Sequence, residues 1–273
     1  MVTLYQVTPE NRNKVECLLV NNRCYDMSVD SILEGQAGGN IQIVLDNQEN
    51  PKVVQIIQGT FTFFGGDANC SSARELVKGL LPKYAVQPAN DDWLDLLKEI
   101  HKDNLYSVKR YSFSSESLRE SHLRQIIDSN PNSSIITRID LKKAHAMNRD
   151  SLNKFHFINY NSPEHFIEKG FGYCAIVDNN VVSACTTALV CKKGIEICII
   201  SQPKYRRRGF ALLTAAQLVL HCLENGMEPH WDAANTMSRK LAEKVGYTCK
   251  GSYEVYKLDQ NQNINNNLYG SNN

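Results

Sequence analysis

The run from Glu196 to Ala211, EICIISQPKYRRRGFA, reads as a buried strand that breaks at Pro203, crosses a basic loop and enters a helix near Gly209. The first amides of a helix have no partner inside it and lie at the positive end of its dipole. No Ser, Thr, Asp or Asn stands directly before this helix to cap them. Arg206, Arg207 and Arg208 bring positive charge, and Gly209 lets a ligand approach the backbone. That combination suits a pyrophosphate, which accepts bonds from the amides, is neutralised by the guanidinium groups and serves as the missing cap. The same KYRRR run could instead be a solvated basic loop, a nuclear-import signal or a nucleic-acid patch. The following helix favours a site. It is apolar almost all round, with Thr214, Gln217 and His221 as its main polar residues, so it must bury against a sheet, and Asn225-Gly226 closes it.

Alternation along IEICII puts Ile195, Ile197 and Ile199 on one face and Glu196, Cys198 and Ile200 on the other. Glu196 therefore shares a face with apolar residues. Desolvation raises a carboxyl pKa toward neutrality, which suits a general base that takes a proton from an ammonium group. The plainer alternative is a Glu196 paired with Lys192 or Lys193 at the strand edge. Cys198 has no positioned His partner in the sequence and reads as an inert buried thiol. The seven histidines show neither HxxxH nor HExxH spacing, so no metal site is expected.

The 273 residues, 42% hydrophobic and 22% charged, have the composition of an ordinary globular protein rather than a disordered one. Thirty basic against 29 acidic residues leave a formal charge of +1, so no global field steers the chain onto nucleic acid or an anionic membrane. Nine cysteines, an odd count without a CxxC pair, exclude zinc-ribbon and thioredoxin-like readings. Several lie in apolar runs, which favours the reducing cytoplasm. The segment MVTLYQVTPENRNK has no basic region followed by an apolar stretch, and no window is apolar enough for a membrane span, so neither a leader nor an anchor is expected. The sequon at Asn69 is then accidental.

The turn-rich DSNPNSS, Asp128 to Ser134, is the expected domain junction. Before it, residues 1–128 read as a smaller α+β domain with strands near Thr3 to Val7, in IQIVLD, KVVQIIQ, TFTFF and LYSVKRYSF, and helices near Glu10 to Leu19, Ser72 to Leu81, Asp91 to His101 and through Leu118 to Ile127. After it, residues 129–258 read as strand SIITRID, a helix from Leu141 to about Phe157, three strands (GYCAIVDN, VVSACTTALVC, GIEICIIS), a helix from about Gly209 to Asn225, strand HWDA, a helix from Thr236 to Val245, and YTCKGSYEVYKL as two short strands or a bent one. Residues 259–273, rich in Asn and Gln, are expected to be a disordered tail.

Arg206-x-x-Gly209-x-Ala211 after a strand resembles the Q/R-x-x-G-x-G/A acetyl-CoA signature of the GNAT superfamily. Asn235, Ser238, Leu241, Lys244, Gly246 and Tyr247 fall where that superfamily carries N-x-x-A/S-x-x-L-x-x-K-x-G-F/Y. The runs GFGYCAIVDNNVVSAC, EICII, YRRRGFA and EPHWDAANTMSRKLAEKVGY look like the branch that includes zwittermicin A resistance acetyltransferases, and TFTFFGGDAN looks like that branch's amino-terminal domain. The resemblance covers about residues 130 to 257. It implies a mixed, mainly antiparallel α/β sheet flanked by helices.

It also implies acetyl-CoA as cosubstrate, with the pantetheine arm beside Ile199, Ile200 and Ser201, the pyrophosphate on Arg206 to Ala211 including Phe210, and Asn235 and Ser238 toward the cofactor arm. Asn235 suits a plain helix cap equally well, and Trp231 suits the core. The reaction implied is direct attack of a small molecule's primary amine on the thioester, with Glu196 as base. One residue departs from the pattern: Ala242 follows Leu241 where many relatives have Tyr to protonate the leaving thiolate. Tyr205, Tyr247 or water are the substitutes. An acyl-CoA-binding module without catalysis is the alternative reading. The amino-terminal domain is expected to wall the acceptor cleft or to be a degenerate GNAT-like domain.

Overall fold

The computed structural model describes residues 5–6, 12–19, 27–39 and 41–259. In chain order the elements are β1 (Tyr5–Gln6), α1 (Arg12–Leu19), α2 (Met27–Leu33), β2 (Ile41–Leu45), β3 (Val53–Gln58), β4 (Phe61–Gly66), α3 (Ser71–Lys78), β5 (Ala85–Val86), α4 (Asp91–His101), β6 (Leu105–Ser114), α5 (Glu120–Asp128), β7 (Ile136–Arg138), α6 (Leu141–Arg149), α7 (Pro163–Lys169), β8 (Gly172–Val177), β9 (Asn180–Val190), β10 (Gly194–Ser201), α8 (Phe210–Glu224), β11 (Glu228–His230), β12 (Asp232–Ala233), α9 (Thr236–Val245) and β13 (Thr248–Leu258). The chain is mixed α/β, with mainly antiparallel sheets flanked by helices.

Two compact units emerge among the described residues: those within 1–25, 40–109 and 254–273 form one, and those within 26–39 and 110–253 form the other. Two of the four divisions fall inside β6 and β13. Asp128 to Ser134, expected as the junction, lies within the second unit, where it leads from α5 to β7. The expected tail beyond Asp259, Cys24, and the expected first strand apart from Tyr5–Gln6 lie outside the described residues.

In the first unit the strands run β1-β2-β3-β4-β5-β13, antiparallel except for the β4–β5 pair. Its core joins Phe64 to Trp93 of α4, stacked at 5.0 Å, with Leu76 and Val77 of α3 beside them. Trp93 Nε1 donates to the Gly66 carbonyl at 3.1 Å. Gly66 has φ of 90°, and a Cβ there would lie 2.0 Å from the Lys52 carbonyl oxygen, so the glycine pair ending TFTFFGG is a packing requirement.

In the second unit the order is β11-β10-β9-β8-β7. Hairpin-linked strands pair antiparallel, while β10 and β11, joined through α8, pair parallel as a helical crossover requires. α8 is the element the sequence marks most strongly: Leu213, Ala216, Leu218 and Val219 are buried, and the helix packs on Ile195, Ile197 and Ile199 of β10 together with Leu123, Trp231 and Val245. The predicted alternation of β10 is confirmed by that packing.

Two local expectations need correction. The helix beginning at Leu141 ends at Arg149, because Asp150 Oδ1 accepts from the amides of Leu152 and Asn153 at 3.0 and 2.7 Å and starts a separate 3-10 turn, Asn153–Phe157. HWDA is not one strand: β11 ends at His230 and β12 pairs with β6. Of the two forms expected for YTCKGSYEVYKL, the single strand is the one present, β13 with 11 residues.

The 3-10 turn carries His156, fully buried, with Nδ1 at 2.8 Å from Thr186 Oγ1. Burial pushes its pKa down from 6.5 to about 3, so the imidazole is neutral when folded. The unfolded chain takes up a proton near pH 6.5 that the folded chain refuses, so stability is full above that pH and declines as pH falls toward 3, by up to about 1.4 kcal/mol per unit. Urea midpoints measured from pH 7.5 to 4 are expected to show this decline, and His156→Gln is expected to flatten it while lowering stability at neutral pH.

Candidate functional site

The parallel pairing of β10 with β11 covers only Gly194 with Glu228, Ile195 with Pro229 and Glu196 with His230. Beyond it the two strands part. Three interactions pull the chain after His230 away: Trp231 enters the core and donates from Nε1 to Ser238 Oγ at 3.1 Å, β12 pairs with Tyr111 and Ser112 of β6, and Asp232 Oδ2 accepts from the Arg110 guanidinium at 2.7–2.8 Å. Residues Ile197 to Ser201 of β10 continue to pair with β9 on one side, at Thr187 through Ser183. Their other edge has no strand partner among the described residues. An extended chain with amide groups can hydrogen-bond along such an edge.

β10 leads directly into the predicted loop. Gly209 takes φ of 84° at the N-cap of α8, and no side chain caps the helix. Arg207 is also left-handed, with φ of 62°. A non-glycine residue held there costs on the order of 1–3 kcal/mol, a strain that clusters at functional sites. Arg206 Nε reaches the Ser201 carbonyl at 3.4 Å, and the Arg208 guanidinium lies 5.1 Å from the centre of the Tyr205 ring.

One cleft of about 840 Å³ joins the strand edge to the helix end. Ile199, Ile200, Ser201, Arg206, Arg207, Gly209, Phe210, Ala211, Asn235 and Ser238 all line it, so ten of the eleven residues predicted to hold a cofactor meet in one place. The eleventh, Arg208, is not among the lining residues and is occupied with Tyr205. Asn235 caps α9, its Oδ1 accepting from the amides of Met237 and Ser238 at 3.0 Å each, while the same residue faces the cleft. It is both cap and wall. Met237, Lys240, Leu241 and Lys244, which the sequence reading did not assign, complete the α9 side.

Glu196 stands at the last bridged pair before the strands separate. Its Oε2 meets Nδ1 of His230, the residue directly across the parallel register, in a hydrogen-bonding contact. Side-chain exposures of 17% for Glu196 and 29% for His230 place both groups at the edge of solvent, within reach of an incoming molecule. His230 is the residue that sequence reasoning missed. Its signal lay in HWDA, but only the register of two strands 34 residues apart brings it to Glu196.

Cys198 is partly buried, and burial followed by the charge of Glu196 pushes its thiol up to about 12, as expected for an inert cysteine. Tyr247 is buried and donates its hydroxyl to the Pro229 carbonyl at 2.7 Å, with burial holding its pKa far above the usual value. Tyr205 lines the cleft and Tyr247 does not. Ala242 is fully buried in the core. Among the described residues no group of three or more His, Cys, Asp or Glu could hold a metal ion, and no helix is long and apolar enough to cross a membrane.

A family model described as GNAT acetyltransferase matches residues 19–256. The chain is 27% identical over 267 residues to an uncharacterized N-acetyltransferase, YdfB, of Bacillus subtilis strain 168, covering 94% of this chain and 99% of the relative. Among solved structures, a GCN5-related N-acetyltransferase-like protein from Streptococcus suis 89/1591 superposes with a TM-score of 0.77 at 26% identity, covering 92% of this chain and 99% of its own. A GCN5-related N-acetyltransferase from Sphaerobacter thermophilus, 10% identical, shares the fold with a TM-score of 0.52 over 93% of this chain and 94% of its own.

Proposed function

Because the chain belongs to the GNAT acetyltransferase family and is an acyltransferase, we propose that it carries the acetyl group of acetyl-CoA to a primary amine of a small molecule, with Glu196 as the proton acceptor. The observation that carries this reading is the single cleft formed by the parted edge of β10 and the uncapped start of α8. The helix amides with Arg206 and Arg207 match a pyrophosphate, and the free edge at Ile199 to Ser201 matches the amide-bearing pantetheine arm. An arm laid along that edge from the loop brings its thioester end toward Ile197, next to Glu196.

Glu196 takes the ammonium proton of the acceptor, directly or through water. The freed nitrogen lone pair attacks the thioester carbonyl carbon, the carbon–sulfur bond breaks, and the thiolate leaves with the bonding electrons. The second proton that the acylated nitrogen must lose passes through water or Tyr205 to that thiolate, leaving a neutral amide and the CoA thiol. His230 holds the Glu196 carboxylate at the parting point.

The acceptor class rests on the resemblance of GFGYCAIVDNNVVSAC and the EPHWDAANTMSRKLAEKVGY run to the zwittermicin A resistance branch. We place the reaction in the reducing cytoplasm, a reading supported by the eight cysteines among the described residues, all of them free. The test is amine-dependent release of the CoA thiol over a panel of primary amines. Ala242, buried where many relatives have Tyr, favours one second reading, a binder without turnover. Cofactor binding with no thiol release on any amine would support that reading against ours.

A further inference from the structure

The cleft carries more positive charge than a pyrophosphate needs. Arg206 and Arg207 lie on the loop before α8, beside its free amides, whereas Lys240 and Lys244 line the cleft from α9, and among the described residues no carboxylate lines it. The two lysines are four residues apart on one helix face, a like-charge spacing that is unfavourable without a counter-ion. The sole acid of α9, Glu243, is held by Arg239 Nε at 2.9 Å. With a formal chain charge of only +1, this wall is a local concentration of charge rather than a share of a basic surface. Met237, one turn earlier on the same face, is 66% exposed, the highest value among the large apolar side chains described.

We propose that Lys240 and Lys244 bind the 3′-phosphate of the nucleotide end of coenzyme A, with Met237 as the apolar platform beneath the purine. The inference rests on the acetyl-CoA reading above and adds a specificity to it: the enzyme selects the 3′-phosphorylated cosubstrate over its dephospho form. A phosphate monoester carries about −1.5 to −2 charges at neutral pH, which two ammonium groups match. Thioether sulfur and methylene groups suit a planar ring face.

The experiment is calorimetric titration of the full chain with acetyl-CoA and with acetyl-dephospho-CoA at low ionic strength. The parent is expected to bind acetyl-CoA roughly tenfold more tightly, the scale of two partly screened ion pairs. The double variant Lys240→Gln, Lys244→Gln is expected to lose that preference while binding the dephospho form as the parent does. Lys142→Gln with Lys250→Gln removes the same two charges from exposed positions outside the cleft lining and is expected to keep it. Equal affinity of the parent for both ligands, or a preference that survives in the Lys240/Lys244 variant, would overturn the assignment and leave the acetyl-CoA reading standing. Binding of neither ligand would overturn both.

Discussion

Gly209→Asp is expected to lower kcat/KM for acetyl-CoA by roughly a hundredfold or more while the chain stays folded. Charge-assisted hydrogen bonds are worth about 1.5–3 kcal/mol each, and 1.4 kcal/mol is a factor of ten, so losing two between α8 amides and a phosphate accounts for that scale. The new carboxylate stands at the helix start, where it competes for the amides and repels the incoming anion. Folding is spared for two reasons. Asp is among the residues that tolerate the left-handed backbone, here φ of 84°, and a Cβ at this position meets only the Asn130 side-chain amide, at 3.3 Å. Gly209→Ala imposes the strain without the charge and should cost much less affinity. Equal losses in the two variants would show that backbone distortion, not phosphate recognition, is being measured.

Glu196→Gln is expected to reduce kcat by roughly 10²- to 10⁴-fold, the usual contribution of a positioned general base, with acetyl-CoA affinity unchanged. The amide has nearly the shape of the carboxylate and still hydrogen-bonds His230, but it cannot take a proton. Pre-steady-state release of the thiol together with equilibrium titration separates the two quantities. A variant that kept full turnover would remove Glu196 from the chemistry, and one that lost cofactor affinity instead would give the residue a role in shaping the strand edge.

The two most legible elements were the ones with their boundaries written in local chemistry. α9 runs from Thr236 to Val245 as expected because Asn235 caps it and Gly246, at φ of 117°, ends it. α8 is legible from its length and its nearly continuous apolar surface. Most of the cleft follows from these two helices and β10, which explains why ten predicted residues converge there.

What escaped the sequence depends on contacts between distant residues. α2 and the glycines after it were not anticipated, because their place is set by partners far along the chain: Glu34 Oε2 accepts from the Lys192 amide at 2.7 Å, Gly38 donates to the Asn159 carbonyl at 2.9 Å, and Gly39 donates to Asn161 Oδ1 at 2.8 Å. The break in HWDA arises from Arg110 and Asp232, 122 residues apart. The pairing of Glu196 with His230 arises from parallel register. Local propensity carries none of this information. Three arginines in a row look equivalent in sequence, whereas Arg206 and Arg207 line the cleft and Arg208 lies over the Tyr205 ring.

The most direct measurement of the central claim is the thermal midpoint of the chain with and without acetyl-CoA, for the parent and for Gly209→Asp. At about 100 times its dissociation constant a ligand stabilises by about 2.7 kcal/mol, which for a chain of this size is a rise of roughly 5 °C or more. The account predicts that rise in the parent and its loss in the variant. An unchanged midpoint in the parent, or the same rise in both proteins, would contradict it.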